Sequence, residues 1–214
     1  MFILSYLLLF ASPFVAPQAI WNETSYPNVL EEQTQECKIN GTQAPYLTCD
    51  PDEILTQTQR FELNDALKDL KNVTTSNGTE CSNQGYIGVV LLARKIVNGT
   101  TKEAQKMANY FRDNWDFGRC DKGIIILMVT FYQQFYMACQ PNVPLSDSDV
   151  NEIFEHNKDT LFNGNYFEGL SNVIKESKNK LTHQTGGTMT NRIIHVVRIA
   201  HRINRMAIPL TTML

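Results

Sequence analysis

The chain has no Cys-x-x-Cys pair, no cysteine–histidine spacing of the zinc type, no Gly-rich loop of the P-loop or dinucleotide kind, and no serine set in a nucleophile elbow. Structural zinc, a nucleotide-phosphate cradle and a hydrolytic triad therefore have no support. Histidine is scarce. Of His156, His183, His195 and His201, three lie at or beyond residue 183. Positive charge is not in surplus either: 19 Lys and Arg face 22 Asp and Glu, a net charge of −3. That balance argues against a nucleic-acid partner, which calls for a basic surface.

Charge is also missing from the first 21 residues. Phe2 to Phe10 is a compact apolar run, and small residues and prolines follow through Ala19. This is the pattern of a secretory signal peptide over residues 1–19, cleaved near Ala16 to Ala19. Asn22, Asn40, Asn72, Asn77 and Asn98 each open an Asn-x-Thr sequon without proline, all before residue 101. Leader and sequons together predict a glycoprotein that is secreted or held on the extracellular face of the cell membrane. Residues 20–48 are polar and aperiodic and read as a glycosylated lead-in outside the core.

What the chain does have is enough apolar material for one domain. Hydrophobic residues are 43% and charged residues 19% of 214, which fits a single packed core with tails. Asp50-Pro51-Asp52-Glu53 supplies a cap, a first-turn proline and a capping-box acid, so a helix is expected from there to about Lys71. Tyr86 to Ala93 reads as a strand. A second helix follows Thr100, with Ala104, Met107, Ala108, Phe111 and Trp115 on one face. Gly123 to Thr130 is an apolar, mostly β-branched strand of the kind buried on both faces. A short bend at 131–133 leads to a strand from Gln134 to Cys139, as in an antiparallel hairpin. Ser146 with Asp149 opens a third helix, Asn163-Gly164-Asn165 breaks it, and a fourth carries Tyr166, Phe167, Leu170, Val173 and Ile174. The order predicts an α/β (mixed α+β) domain over 49–181, a small mixed β-sheet with helices packed around it. The first two strands, joined through a helix, should be parallel.

Residues 182–190 are a Gly/Thr-rich linker. Beyond it, over 191–214, Arg192, His195, Arg198, His201, Arg202 and Arg205 share one helical face, and Ile193, Ile194, Val197, Ala200 and Ile203 lie mostly on the other. Four arginines exclude an ordinary membrane span. Such a basic amphipathic helix suits contact with an anionic membrane surface or an acidic partner; otherwise it is a helix docked on the domain or a solvated tail without further role.

Five cysteines, Cys37, Cys49, Cys81, Cys120 and Cys139, imply two disulfides and one thiol in an oxidising compartment. The strand order gathers Cys81, Cys120 and Cys139 at one end of the sheet. Cys81–Cys120 and Cys37–Cys49 are the pairs expected, though spacing does not decide among the three. Carboxylates are the only groups with catalytic promise. Asp50 and Asp52 stand at the first helix, and Asp116 and Asp121 stand between the second helix and its strand. Converged, they would hold a hard cation, Ca2+ or Mg2+, and through it polarise a phosphate ester. Separately, they are cap and turn acids. Of the hairpin aromatics Phe131, Tyr132, Phe135 and Tyr136, alternate members face outward and either anchor a partner or lie under helices.

Four segments in order, DPDEIL, YIGVVLLA, MANYFRDNWDFGRCDKGIIILMV and NYFEGLSNVI, resemble the TPM-type domain, specifically its animal branch, the modulator of levamisole receptor family. The resemblance covers about Tyr46 to Leu181. It implies one of two functions. Plant and bacterial relatives are acid-phosphatase-like, with a divalent cation on acidic loop residues. The nematode branch comprises extracellular auxiliary proteins that positively modulate levamisole-sensitive acetylcholine receptors at the neuromuscular junction. Asp50 matches the family's aspartate at the first helix. Lys122-Gly123, after Asp121, replaces an Asn-Gly turn, and Ala138-Cys139-Gln140 replaces a Gly-Tyr-Gly-like strand end. These departures favour a non-catalytic binding module. Its partners would be acetylcholine-gated channel subunits or a similar cell-surface receptor. The C-terminal membrane span of the receptor branch is replaced here by the arginine-rich segment.

Overall fold

The computed structural model describes residues 19–31 and 35–184. The expected signal peptide up to residue 18, most of the expected linker and the basic segment from 191 onward lie outside the described residues. Among the described residues the elements run β1 (Thr48–Cys49), α1 (Gln57–Val73), β2 (Ile87–Ala93), α2 (Thr101–Asn114), β3 (Gly123–Val129), β4 (Gln134–Cys139), α3 (Asp147–Phe162) and α4 (Tyr166–Gln184). The sheet order is β1-β2-β3-β4, with β1, β2 and β3 parallel and β4 antiparallel to β3. This is the mixed α/β sheet expected.

Pleat and register assign the layers. Gly88 lies so close to α1 that a Cβ there would meet Leu67 at 2.9 Å, and Gly123 so close to Phe117, just past α2, that a Cβ would meet its ring at 2.4 Å. Gly88 pairs with Ile124, and Gly123 with Ile87. The even residues of β2 and β3 therefore face α1, and the odd ones face the α2 side. On the α1 side, α1 packs on β1, β2 and α4, α4 packs on α3, and Phe135 of β4 stacks on Phe154 of α3. On the other side α2 spans β3 and β4. All of β3, and all of β2 except Ile87, is buried.

Since α2 covers only half of its face, something else must cover β1 and β2 there. The lead-in does. Tyr26, Val29, Cys37 and Ile39 are buried in the core. The Tyr26 ring lies against Phe111 of α2, and its hydroxyl donates to the carbonyls of Cys49 (3.1 Å) and Leu92 (2.8 Å). Trp21 bridges Ile96 in parallel, and a Cys37–Cys49 disulfide ties the segment to β1. The reading of 20–48 as a lead-in outside the core is therefore corrected. The few apolar residues in this polar stretch are placed by a vacant sheet face, not by any local period.

The start of α1 is also corrected. Glu53 has φ +50, so no helix runs through it, and Asp50 to Leu55 form a turn. The capping box is Thr56 with Gln59. At α2 and α3 the expected caps, Thr100 and Ser146 with Asp149, are in place. The fourth helix continues to Gln184, past residue 181.

If the lead-in is core, Ile39→Ala should cost about 2–5 kcal/mol of unfolding free energy in urea titration, as for a buried aliphatic truncated in place. A change within about 0.5 kcal/mol, the range of surface positions, would return the segment to the periphery.

Candidate functional site at the carboxyl end of the parallel strands

In α/β sheets ligands bind at the carboxyl ends of parallel strands, and that is where Asp50 and Asp52 lie. Asp50 follows β1 and is 1% exposed. Its two carboxylate oxygens accept from the backbone N–H of Ile54 (2.9 Å) and Leu55 (2.7 Å), closing the turn into α1. Burial raises its pKa, and these N–H bonds and the Arg60 guanidinium oppose the rise. One oxygen of Asp52 accepts from the Trp21 indole (2.9 Å) and from the backbone N–H of Arg94 (2.6 Å). The Arg94 guanidinium donates back to the Asp52 carbonyl (3.2 Å). Tyr26 is buried at this end, its pKa driven well above the usual value by burial first and by the charges of Asp50 and Asp52 second.

Asp116 and Asp121 are elsewhere. Asp116 is exposed and accepts from the Gly118 N–H (2.8 Å) in the turn after α2. Asp121 is exposed, at φ +49, two residues before β3. Asp52 holds the residue after the last of β2, whereas Asp121 precedes the strand whose first residue pairs with the first of β2. Seven strand steps separate Arg94 from Ile87, about 23 Å. The four acids do not converge, and among the described residues no group of three or more His, Cys, Asp or Glu is arranged to hold a metal ion.

At that amino end stands a cation instead. The Lys122 ammonium is buried and donates to the carbonyls of Ser82 and Gln84, 4.9 Å from the centre of the Tyr86 ring. Burial lowers its pKa. The Cys81–Cys120 disulfide closes the same corner. Cys139 is free, and burial pushes its thiol pKa up to about 12, so it is a poor nucleophile. Of the hairpin aromatics, Phe135 and Tyr136 are buried while Phe131 is 61% exposed and Tyr132 half-buried. Among the sequons, Asn40, Asn72, Asn77 and Asn98 are exposed, and Asn22 is half-buried with its side-chain oxygen accepting from Thr24 and Ser25.

Sequence reasoning missed Trp21, Tyr26 and Arg94, the partners that fill this end. The one signal was two large aromatics in a segment otherwise short of apolar residues.

The fold is thus a four-stranded mixed sheet between helical layers, its carboxyl end filled by its own side chains. The chain matches the family described as modulator of levamisole receptor-1 over residues 21–133, more than half its length, and belongs to that family. No curated protein matches it in sequence. Among solved structures it is similar to the N-terminal domain of a protein from P. gingivalis, determined by solution NMR. That likeness has a TM-score of 0.56 and 16% identity, covering 83% of this chain and 100% of the other. At that identity the likeness carries the fold.

Asp50→Ala should cost about 1–3 kcal/mol, because two buried N–H groups lose their acceptor. The raised pKa of Asp50 also sets a sign. In the folded state it holds its proton to higher pH than in the unfolded chain, so its contribution is full below the ordinary aspartate value and lost as pH rises through the folded value. Asp50→Asn should remove that fall from a stability–pH profile. An unchanged profile would show that Asp50 titrates as an ordinary exposed acid.

Proposed function

We propose that the domain is an extracellular, non-catalytic modulator of a ligand-gated ion channel of the levamisole-sensitive acetylcholine receptor type. The family match over 21–133 carries this reading. Two disulfides and exposed sequons support an extracellular setting. Among the described residues no helix is long and apolar enough to cross a membrane, so the domain meets its receptor from outside the bilayer in this reading. The acids that a cation-dependent phosphatase would need are engaged in holding the chain together at one end and separated from their counterparts at the other.

Co-expression with acetylcholine-gated channel subunits should change agonist-evoked current, in amplitude or in decay. Unaltered current and unaltered surface expression across the plausible subunits would sink the proposal. The purified domain, given Ca2+ or Mg2+ and a generic phosphomonoester, should hydrolyse no more than its Asp50→Asn variant. Turnover that depends on Asp50 and on the cation would turn the reading toward the enzymatic branch.

A further inference from the structure

One large aromatic is left in the open at the carboxyl end of the sheet. Phe131 is 61% exposed. Its ring packs edge-on against Tyr132, centroids 5.0 Å apart, and the Lys95 ammonium stands 4.5 Å from its centre. Tyr132 in turn lies on the turn after β2, so close to Gly99 that a Cβ there would fall 2.1 Å from the ring. Gly99 is the middle residue of the sequon Asn98-Gly99-Thr100.

The turn presents Asn98 outward. Asn98 is exposed and has φ +58, a conformation asparagine tolerates better than most residues. The turn is fixed from three sides. The Gly99 N–H donates to the Ile96 carbonyl (3.1 Å), the Gln134 side chain donates to the Gly99 carbonyl (3.2 Å), and Thr100 caps α2. The Asn98 Cα is one peptide, about 3.8 Å, from the Gly99 Cα that the Tyr132 ring covers. A sugar attached to Asn98 therefore begins one residue from the one the Tyr132 ring covers, and the Phe131 ring lies 5.0 Å beyond Tyr132, centroid to centroid.

The geometry points to an N-linked glycan on Asn98 whose first N-acetylglucosamine packs its C–H face on the Tyr132–Phe131 pair. The proposal rests on the extracellular reading above. Among the described residues, a sugar on the Asn98 sequon is an occupant that the chain itself delivers to this spot. It would take part of the exposed ring out of water. The hairpin aromatics that sequence alone offers as a partner anchor would then be a glycan seat, and receptor contact would fall on another face.

The test uses the full chain secreted from eukaryotic cells. Peptide mapping should find Asn98 glycosylated. Trimming every glycan to its first sugar should leave Tm unchanged, whereas Asn98→Asp, which keeps the turn conformation, should lower Tm by about 2–4 °C. In a Phe131→Ala background, Asn98→Asp should produce a clearly smaller loss, since only the Tyr132 part of the seat remains. Asn98 found bare while other sequons are occupied would overturn the proposal and leave the extracellular reading standing. No occupied sequon at all would overturn both. Equal losses with and without the Phe131 ring would show that the sugar does not sit on it.

Discussion

Burial of the β2–β3 pair on both faces is the constraint on which the other elements depend. Thirteen apolar or glycine positions in two seven-residue strands lose water, all but Ile87, and each large aliphatic among them contributes about 1.5–3 kcal/mol only if both faces are covered. One face is met by α1, with α4 and α3 behind it. The other is met by α2 over β3 and β4 alone. The shortfall over β1 and β2 explains why a polar, aperiodic segment ends up in the core. Tyr26 reaches across the gap, bonding to carbonyls of β1 and β2 and packing on Phe111. The Cys37–Cys49 bridge holds the same segment down by restricting the unfolded chain.

What could be read from the sequence was what short-range rules decide. The strand at 123–129, its antiparallel partner, and the caps at Thr100 and Ser146 depend on neighbours within a few residues, and they stand where expected. The misread elements depend on contacts far away. A two-residue strand such as β1 has no period to detect; its partner is some forty residues on. Asp50-Pro51-Asp52-Glu53 satisfies every local rule for a helix start, yet the chain turns through Glu53: Asp52 is claimed by Arg94, 42 residues on, and Asp50, buried just past β1, accepts instead from Ile54 and Leu55. The same blindness hid the separation of the acids. Once β1 is seen, Asp50 falls after a strand and Asp121 before a parallel one, and two such positions lie at opposite ends of the sheet.

Each end of the sheet is closed by a charge with internal partners. At the carboxyl end, Asp50 and Asp52 act as struts for the turn, for Trp21 and for Arg94. At the amino end, the Lys122 ammonium gathers two carbonyls of the turn before β2 and lies by the Tyr86 ring. Both Asp50 and Lys122 are shifted by burial toward their neutral forms, the carboxyl upward and the ammonium downward. Their polar contacts are what keep these groups tolerable in the core, since a buried charge without partners is far costlier than one whose hydrogen bonds are made.

That engagement bears on how easily this end could be turned to metal chemistry. A cation on Asp50 and Asp52 would compete with four hydrogen bonds, from Ile54, Leu55, Trp21 and Arg94. Bonds to a charged acceptor contribute about 1.5–3 kcal/mol each. Giving up even two of them would open the turn into α1 or detach the lead-in from the sheet, and would uncover the face that Tyr26 closes. Binding there would have to offset several kcal/mol with only two protein carboxylates, fewer oxygens than Ca2+ takes. A rim assembled this way favours rigidity over remodelling, and a rigid surface loses less entropy when it meets a partner.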